Sequence, residues 1–199
     1  SGIANSWQGV IALYVTRRVS LGASHRERFL SMTESAAADF RVGNGFDAHP
    51  LTPGRGRVLG GVTVPHHSGL SGHSDGDVLV HAIMDALLGA AALGDKGVHF
   101  PSSDPQYKDI SSLILLSKVS ALAGEAGWRI SNVDATLLAQ KPRLGSFIQT
   151  MRQQICAALS LPLDRVSIKA TTTDYMGFIG REEGIAVCAV ASLVSRPGF

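Results

Sequence analysis

The sequence predicts a single α/β domain in which helices are layered on one face of a mixed β-sheet. Segments with the alternating pattern of strands are interspersed with longer apolar segments that have helical spacing. With 199 residues, 45% of them hydrophobic, the chain can form one proper core. The predicted strands are 40–46, 57–64, 128–140, 164–171 and 184–194, the first two forming a hairpin-like pair, and the predicted helices are 78–92, 111–127 (or from residue 109) and 144–159.

Composition and charge argue against several classes of protein. The formal net charge of +2, with both signs interspersed, argues against a large nucleic-acid surface. No apolar run reaches the roughly 18–20 residues that a membrane span needs. Cys156 and Cys188 lie far apart within apolar patterns, so we expect small core residues in a reducing compartment. We therefore expect no nucleic-acid partner, no membrane association and a cytoplasmic, bacterial location.

Residues 1–39 differ from the rest and are predicted to be a poorly ordered extension before a domain spanning 40–196. Their Arg-rich, Ser-rich composition is typical of an organelle-targeting segment, which would place the protein in a plastid-type organelle. Glu27 and Glu34 argue against that interpretation, and Met32 is an alternative start.

The predicted central helix carries one line of polar residues on an otherwise apolar surface. Ser74 or Asp75 can cap its first turn. Asp77, His81 and Asp85 recur every fourth residue, so they share one face. A helix apolar on its remaining sides is buried, and buried polar groups must be hydrogen-bonded, paired or metal-bound. Two interpretations follow: a core histidine paired with a carboxylate, or a metal ligand.

A candidate metal site combines this helix with the end of the first strand. Asp47 and His49 are two residues apart on an extended segment and point to the same side. With His81 they supply one carboxylate and two imidazoles, a set that suits zinc with its fourth position open. Asp77 and Asp85 would then accept the other ring N–H of His81 and fix its tautomer.

Three further segments each allow two interpretations. The hydroxyls and acid of 171–174 suit phosphate oxygens and Mg²⁺, but threonine also simply favours strands. The segment 95–97 suits a ribose or a helix C-terminal turn. Arg181 and Glu183, beside a glycine-rich turn, form a surface ion pair by default.

The order of five motifs is more specific than any one of them. G-x-G-F-D-x-H, H-S-D-G-D-x-x-x-H, D-A-L-L-G-A-A-A-L-G-D, F-P-x-x-D-P and K-A-T-T-T follow one another between Val42 and Thr173. From Phe40 to Val194 the sequence resembles the 2-C-methyl-D-erythritol 2,4-cyclodiphosphate synthases, lyases of the non-mevalonate isoprenoid pathway. The resemblance implies a homotrimer with active sites between subunits. It also implies that 4-diphosphocytidyl-2-C-methyl-D-erythritol 2-phosphate is cyclised with release of CMP.

The resemblance also implies roles for individual residues. Asp47, His49 and His81 would bind one Zn²⁺ per active site, and Asp174 would bind the Mg²⁺ or Mn²⁺ that accompanies the substrate diphosphate. His73 and Thr172 fall where the family stabilises the transition state. The residues placed against the substrate are Asp47, His49, His73, Ser74, Asp95, Lys96, Gly97, Phe100, Pro101, Ser102, Ser103, Asp104, Ala139, Gln140, Lys141, Pro142, Arg143, Leu144, Gly145, Thr171, Thr172, Thr173, Asp174, Phe178 and Arg181.

Further implications concern ligand positions. Segment 95–97 matches the residues that hold the methylerythritol part, which displaces the ribose interpretation. Arg181 and Glu183 match residues lining a cavity on the trimer axis, where some members of the family bind isoprenoid diphosphates.

Three residues depart from the family pattern. Asp174 stands where Glu is usual and is one methylene shorter, so we expect Mg²⁺ bound through a water and weaker activity. Asn44 stands where His or an aromatic residue is common, behind Asp47. Ser102 replaces an acid, which removes one expected contact to the erythritol.

Two alternative functions compete with this interpretation. A zinc-dependent phosphodiester hydrolase would use a metal-activated water and give a linear product. A non-catalytic binding module would hold a structural zinc, which usually has four protein ligands, often cysteines. The candidate set has three ligands and neither cysteine is near them, which argues against the binding module.

Overall fold

The computed structural model describes residues 39–196, and its central element is a five-stranded sheet. The strands are β1 (Phe40–Pro53), β2 (Val58–Leu59), β3 (Val62–Thr63), β4 (Ser68–Leu70), β5 (Trp128–Leu138), β6 (Val166–Thr171) and β7 (Gly184–Ser195). The sheet has the order β4-β1-β7-β5-β6, with β5 and β6 parallel and the other neighbours antiparallel. The predicted mixed sheet is therefore confirmed.

The helices cover one face of this sheet, as predicted. They are α1 (Val78–Ala90), α2 (Lys96–His99), α3 (Ser112–Glu125), α4 (Ile148–Leu159) and α5 (Gly177–Gly180), with 3-10 turns at Pro105–Tyr107 and Leu163–Arg165. Helix α1 packs across β1 and β7, α3 packs on α1, and α4 packs between α3 and β6. Helix α1 is buried along nearly its whole length, which agrees with its apolar sequence.

The first strand is longer than predicted, and its predicted hairpin with 57–64 is wrong. Strand β1 continues through Asp47 and His49, which pair in register with residues of β7. Strands β2 and β3 instead pair with each other across Gly60 and Gly61, whose φ angles of 57° and 74° form the turn. The far end of β1 pairs with β4. Two consecutive left-handed glycines make a tight hairpin turn.

Asp77 connects this small hairpin to helix α1. Its carboxylate accepts hydrogen bonds from the amides of Gly60 (2.9 Å), Gly61 (2.7 Å) and Val80 (3.1 Å). Asp77 is therefore the N-cap of α1, and it is fully buried. Burial raises the pKa of Asp77 above its ordinary value, although the amides of Gly61 and Gly60 act in the opposite direction. The start of α1 is thus held by three backbone donors.

Two glycines let α1 lie directly on the backbone of β1. A Cβ atom at Gly45 would stand 2.0 Å from the carbonyl oxygen of Ala82, and one at Gly43 would stand 2.1 Å from that of Ala86. Both contacts are to helix backbone, so no side-chain rotation can relieve them. Because His81 precedes Ala82, this close approach sets its distance from the strand.

On the opposite face of the sheet, several apolar side chains of β1 and β7 are exposed. Phe40, Val42 and Phe46 of β1 are 59%, 58% and 61% exposed, and Val190 of β7 is 45% exposed. Cys188 lies exposed on the same strand, so the expectation of two core cysteines holds only for Cys156. Exposed apolar side chains of this kind are typical of an interface.

Some predictions fall outside the described residues. The predictions of a poorly ordered extension and of a targeting segment concern residues 1–39. Only residue 39 of that range belongs to the described part of the chain. Among the helices of 39–196, none is long and apolar enough to cross a membrane.

Replacing Gly45 with Ala should destabilise the fold strongly, because the new methyl group overlaps the backbone of α1. We expect the free energy of unfolding to fall by about 3 kcal/mol or more, measured by urea unfolding at fixed protein concentration. Gly56→Ala is the control, since a Cβ there meets no atom within 4 Å. Equal stabilities of the two variants would contradict the close packing of α1 on β1.

Candidate functional site

Three ligating atoms converge where β1 faces α1. Asp47 Oδ2 lies 3.0 Å from His49 Nε2 and 3.2 Å from His81 Nδ1, and the two ring nitrogens are 3.3 Å apart. Ligands of tetrahedral zinc stand roughly 3.3 Å from one another, since zinc–ligand bonds are about 2.0–2.1 Å. The three residues therefore form a possible metal site whose spacing fits zinc.

The possible positions of the ring protons in Asp47, His49 and His81 also favour a bound cation. If both imidazoles donated to Asp47, their two N–H groups would face each other at 3.3 Å. A metal ion accepts electron pairs from all three atoms at once. Burial raises the pKa of Asp47, but hydrogen bonds from His49 and His81 and the charge of Lys96 outweigh it and hold the pKa well below its usual range. Asp47 is therefore anionic at neutral pH.

The predicted contacts of Asp77 and Asp85 with His81 are wrong. Asp77 caps α1, and Asp85 accepts from the amide and the ammonium group of Lys96, each at 2.8 Å. The ammonium group of Lys96 also lies 3.5 Å from Asp47 Oδ2. Their four-residue spacing places Asp77 and Asp85 on the same helix face as His81. However, backbone amides and the ammonium group of Lys96 donate to these two carboxylates instead of His81. As a result, Asp85 positions a cation beside the metal ligands.

His81 is oriented by residues that the sequence did not indicate. Its Nε2 lies 3.0 Å from the hydroxyls of both Ser74 and Ser112. The Ser112 hydroxyl and amide donate to the carboxylate of Asp75. Ser74 and Asp75, predicted caps of α1, thus support His81 and the start of α3. Only folding brings Ser112, 31 residues away, to His81.

His49 has one buried ring nitrogen, Nδ1, without a hydrogen-bond partner among the described residues. Its Nε2 is the atom that faces Asp47 and His81. With Nε2 engaged as a ligand, Nδ1 carries the proton.

A cleft of about 430 Å³, here called the metal cleft, opens beside these ligands. Several residues placed against the substrate line it, together with Met84, Tyr107 and Leu115. Asp95 and Asp104 do not line it, because their carboxylates cap α2 and the first 3-10 turn. Pro101 and Ser103 are likewise not among the lining residues. The predicted residues that line the metal cleft are His49, His73, Ser74, Lys96, Gly97, Phe100 and Ser102.

His73 is held on the rim of the metal cleft by contacts on both sides. Its Nε2 lies 3.2 Å from the carbonyl oxygen of Asp104. Arg55 donates to the carbonyls of Gly72 (2.9 Å) and Ser74 (3.1 Å), which flank it in the chain.

A second cleft, of about 300 Å³, lies at the end of β6 and is here called the β6 cleft. It is lined by Ile148, Ala170 and most of the residues predicted to surround the cytidine. Lys141, Thr173, Asp174, Phe178 and Arg181 are outside this lining. The predicted residues within it are Ala139, Gln140, Pro142, Arg143, Leu144, Gly145, Thr171 and Thr172.

Thr172 and Asp174 are neighbours at the mouth of this cleft. The Thr172 hydroxyl donates to Asp174 Oδ1 at 3.2 Å, and the Asp174 carboxylate is exposed. Arg181 forms an ion pair with Glu183 at 2.8 Å, as its surface position predicted.

The two clefts share no lining residue. The predicted site residues therefore fall into two groups, one around the metal ligands and one around β6.

Comparisons with known proteins agree with the motifs and the fold. The profile of the YgbB family matches residues 40–194. The 2-C-methyl-D-erythritol 2,4-cyclodiphosphate synthase of Syntrophomonas wolfei is 59% identical over 150 residues, which is 75% of this chain and 96% of that protein.

Solved structures show the same fold. The bifunctional IspDF from Campylobacter jejuni is 41% identical with a TM-score of 0.78, over 80% of this chain and 43% of that one. A CDP complex of IspF from Plasmodium falciparum is 29% identical with a TM-score of 0.70, over 79% of this chain and 97% of that one. The chain belongs to the YgbB family.

Proposed function

We infer that the chain is a cyclising lyase of isoprenoid biosynthesis. It converts 4-diphosphocytidyl-2-C-methyl-D-erythritol 2-phosphate to 2-C-methyl-D-erythritol 2,4-cyclodiphosphate and releases CMP. The observation that carries this inference is the preassembled ligand group, Asp47, His49 and His81, at the edge of a cleft large enough for a small phosphorylated polyol. The identity to named synthases supports the same substrate.

The reaction needs no protein nucleophile. An oxygen of the 2-phosphate attacks the β-phosphorus, a new P–O bond closes the ring, and the bond from that phosphorus to the oxygen of CMP breaks. The protein supplies positioning and charge neutralisation, as in phosphoryl transfer generally. Asp47, His49 and His81 would hold Zn²⁺, which as a Lewis acid polarises a phosphoryl oxygen.

Other residues of the metal cleft provide the complementary charge and shape. The ammonium group of Lys96, fixed by Asp85, places a positive charge beside the ligand group. His73 and Ser74 line the same rim and are proposed to face the diphosphate. Phe100 and Ser102 line the cleft where the methylerythritol part is proposed to bind. With Ser102 instead of an acid, that contact is uncharged.

We place the cytidine and its phosphates in the β6 cleft. Its backbone-lined wall of 139–145 and the hydroxyls of Thr171 and Thr172 suit a base and phosphate oxygens. Asp174, exposed beside Thr172, is the proposed ligand of Mg²⁺ or Mn²⁺ at the diphosphate.

Because one substrate must reach both clefts, we propose that they meet between subunits of a homotrimer. The exposed apolar side chains of β1 and β7 support this arrangement, since such side chains are typical of an interface. The ion pair of Arg181 and Glu183 is proposed to lie near the trimer axis, where an isoprenoid diphosphate would bind.

The direct test of function is turnover in ¹⁸O-water. We expect the purified chain, with Zn²⁺, Mg²⁺ and the diphosphocytidyl substrate, to release CMP and an unlabelled cyclic diphosphate, followed by ³¹P NMR and mass spectrometry. Ring closure takes no oxygen from solvent, whereas metal-assisted hydrolysis would.

The control is His81→Ala, which removes one proposed zinc ligand and should abolish product formation. A linear product carrying ¹⁸O would instead establish the hydrolase. No turnover by zinc-loaded protein would favour the binding module.

The composite site is tested by mixing two inactive subunits. His81→Ala disables the metal cleft and Thr172→Ala the β6 cleft. In trimers co-expressed from both variants at equal levels, about a quarter of the sites should combine two intact clefts and recover activity.

The matched control expresses only the double variant, which carries both His81→Ala and Thr172→Ala, so that both clefts are disabled in every subunit. It should stay inactive. If mixed trimers of the two single variants also stay inactive, both clefts of one site come from the same subunit.

A further inference from the structure

Arg57 is buried and donates hydrogen bonds to two segments of the chain, residues 66–68 and Lys141. It is 1% exposed. Its Nη1 donates to the carbonyl of Lys141 at 2.8 Å, and its Nε donates to that of Ser68 at 3.2 Å. Its Nη2 lies 2.7 Å from Nδ1 of His66 and 3.4 Å from the Ser68 hydroxyl. We call this group, Arg57 with His66, Ser68 and the Lys141 carbonyl, the arginine latch.

The latch requires a neutral imidazole. Within 39–196, the groups that accept hydrogen bonds from Arg57 are all uncharged. Guanidinium has only donors and stays protonated, so Nδ1 of His66 must offer a lone pair to it. The ring proton of His66 is then on Nε2. A second proton on His66 would place two cations 2.7 Å apart.

The latch holds the wall of the β6 cleft from the inside. Lys141 lies between Gln140 and Pro142, which both line that cleft. From the outside, the Lys141 ammonium group pairs with Glu182 at 2.8 Å, but both side chains are partly exposed. Exposed ion pairs contribute little, so the part-buried bond from the charged Arg57 to the Lys141 carbonyl is the stronger restraint.

We propose that Arg57 is a positioning residue for the nucleotide half of the substrate, and that protonation of His66 releases the wall that Arg57 holds. Arg57 acts through the Lys141 carbonyl and does not itself line the cleft. The proposal rests on the proposed binding of cytidine in the β6 cleft.

The charges around His66 set the direction of the pH dependence. Burial lowers the pKa of His66 below its ordinary value of 6.5, and the charges of Arg57 and His67 lower it further. The backbone of Ser68 and the charge of Glu182 act in the opposite direction, but more weakly. Because the folded-state pKa is depressed, the latch is intact above pH 6.5 and is lost as the pH falls through the folded pKa.

The first test is titration of the zinc-loaded full chain with CDP by calorimetry at pH 7.5. We expect Arg57→Met to raise the Kd for CDP about tenfold, because a buried bond to a charged donor is lost. Zinc stoichiometry should stay unchanged, since the latch does not contact the metal ligands.

The matched control is Arg152→Met. Arg152 also donates to two backbone carbonyls, those of Val166 (2.8 Å) and Leu163 (2.7 Å), but neither belongs to segment 139–145, which forms the wall of the β6 cleft. Its Kd for CDP should stay within about twofold of wild type. Equal effects of the two substitutions would show that Arg57 contributes only stability and would overturn the proposal.

The second test does not depend on a stable Arg57 variant. His66→Asn keeps an acceptor oxygen but cannot gain a proton. Between pH 7.5 and 5.5, the CDP affinity of wild type should fall more steeply than that of His66→Asn. The ionisation of CDP itself affects both proteins equally, so it cancels in the ratio of their two affinities. Parallel pH profiles would overturn the proposal.

The failure of the latch can be distinguished from the failure of the proposed function. If the wild-type protein binds CDP and cyclises the substrate, but neither Arg57→Met nor His66→Asn changes CDP binding as expected, only the latch proposal is overturned. Wild-type protein that neither binds CDP nor turns over substrate overturns both.

Discussion

The site depends on the direct contact between the backbone of α1 and the backbone of β1. Gly43 and Gly45 lack the Cβ atoms that would separate them, so the helix lies against the strand without intervening side chains. His81, on this helix, then reaches within 3.2 Å of Asp47 on the strand. A zinc site tolerates little variation in ligand distance. Gly43 and Gly45, which have no side chains, thus set the positions of Asp47, His49 and His81 relative to one another.

Further restraints fix α1 along its axis. Asp77 ties its first turn to the glycine turn between β2 and β3, and Asp85 ties its middle to Lys96. Both carboxylates have directed hydrogen-bond partners, which offsets part of the cost of burial. The polar line recognised in the sequence therefore has three different roles: Asp77 caps the helix, His81 belongs to the candidate metal site, and Asp85 holds the ammonium group of Lys96. Asp77, His81 and Asp85 share one helical face, and each of them contacts a different part of the fold.

The sequence was sufficient to predict that Asp47, His49 and His81 form one candidate site, but not what supports them. Asp47 and His49 are related by strand periodicity and His81 by burial on a helix, so local patterns identified all three. Ser112 and Arg57 act through contacts 31 and 84 residues away in the chain, which no local pattern encodes. The separation of the two clefts was likewise not deducible from periodicity, because it depends on the path of 139–145.

The most direct test of this account is anomalous diffraction from zinc-grown crystals of the full chain, recorded on both sides of the zinc absorption edge. The account predicts one zinc per subunit, bonded to Asp47 Oδ2, His49 Nε2 and His81 Nδ1 at about 2.0–2.2 Å, with a fourth position facing the metal cleft. Zinc bound elsewhere, or a fourth protein ligand closing the site, would contradict it.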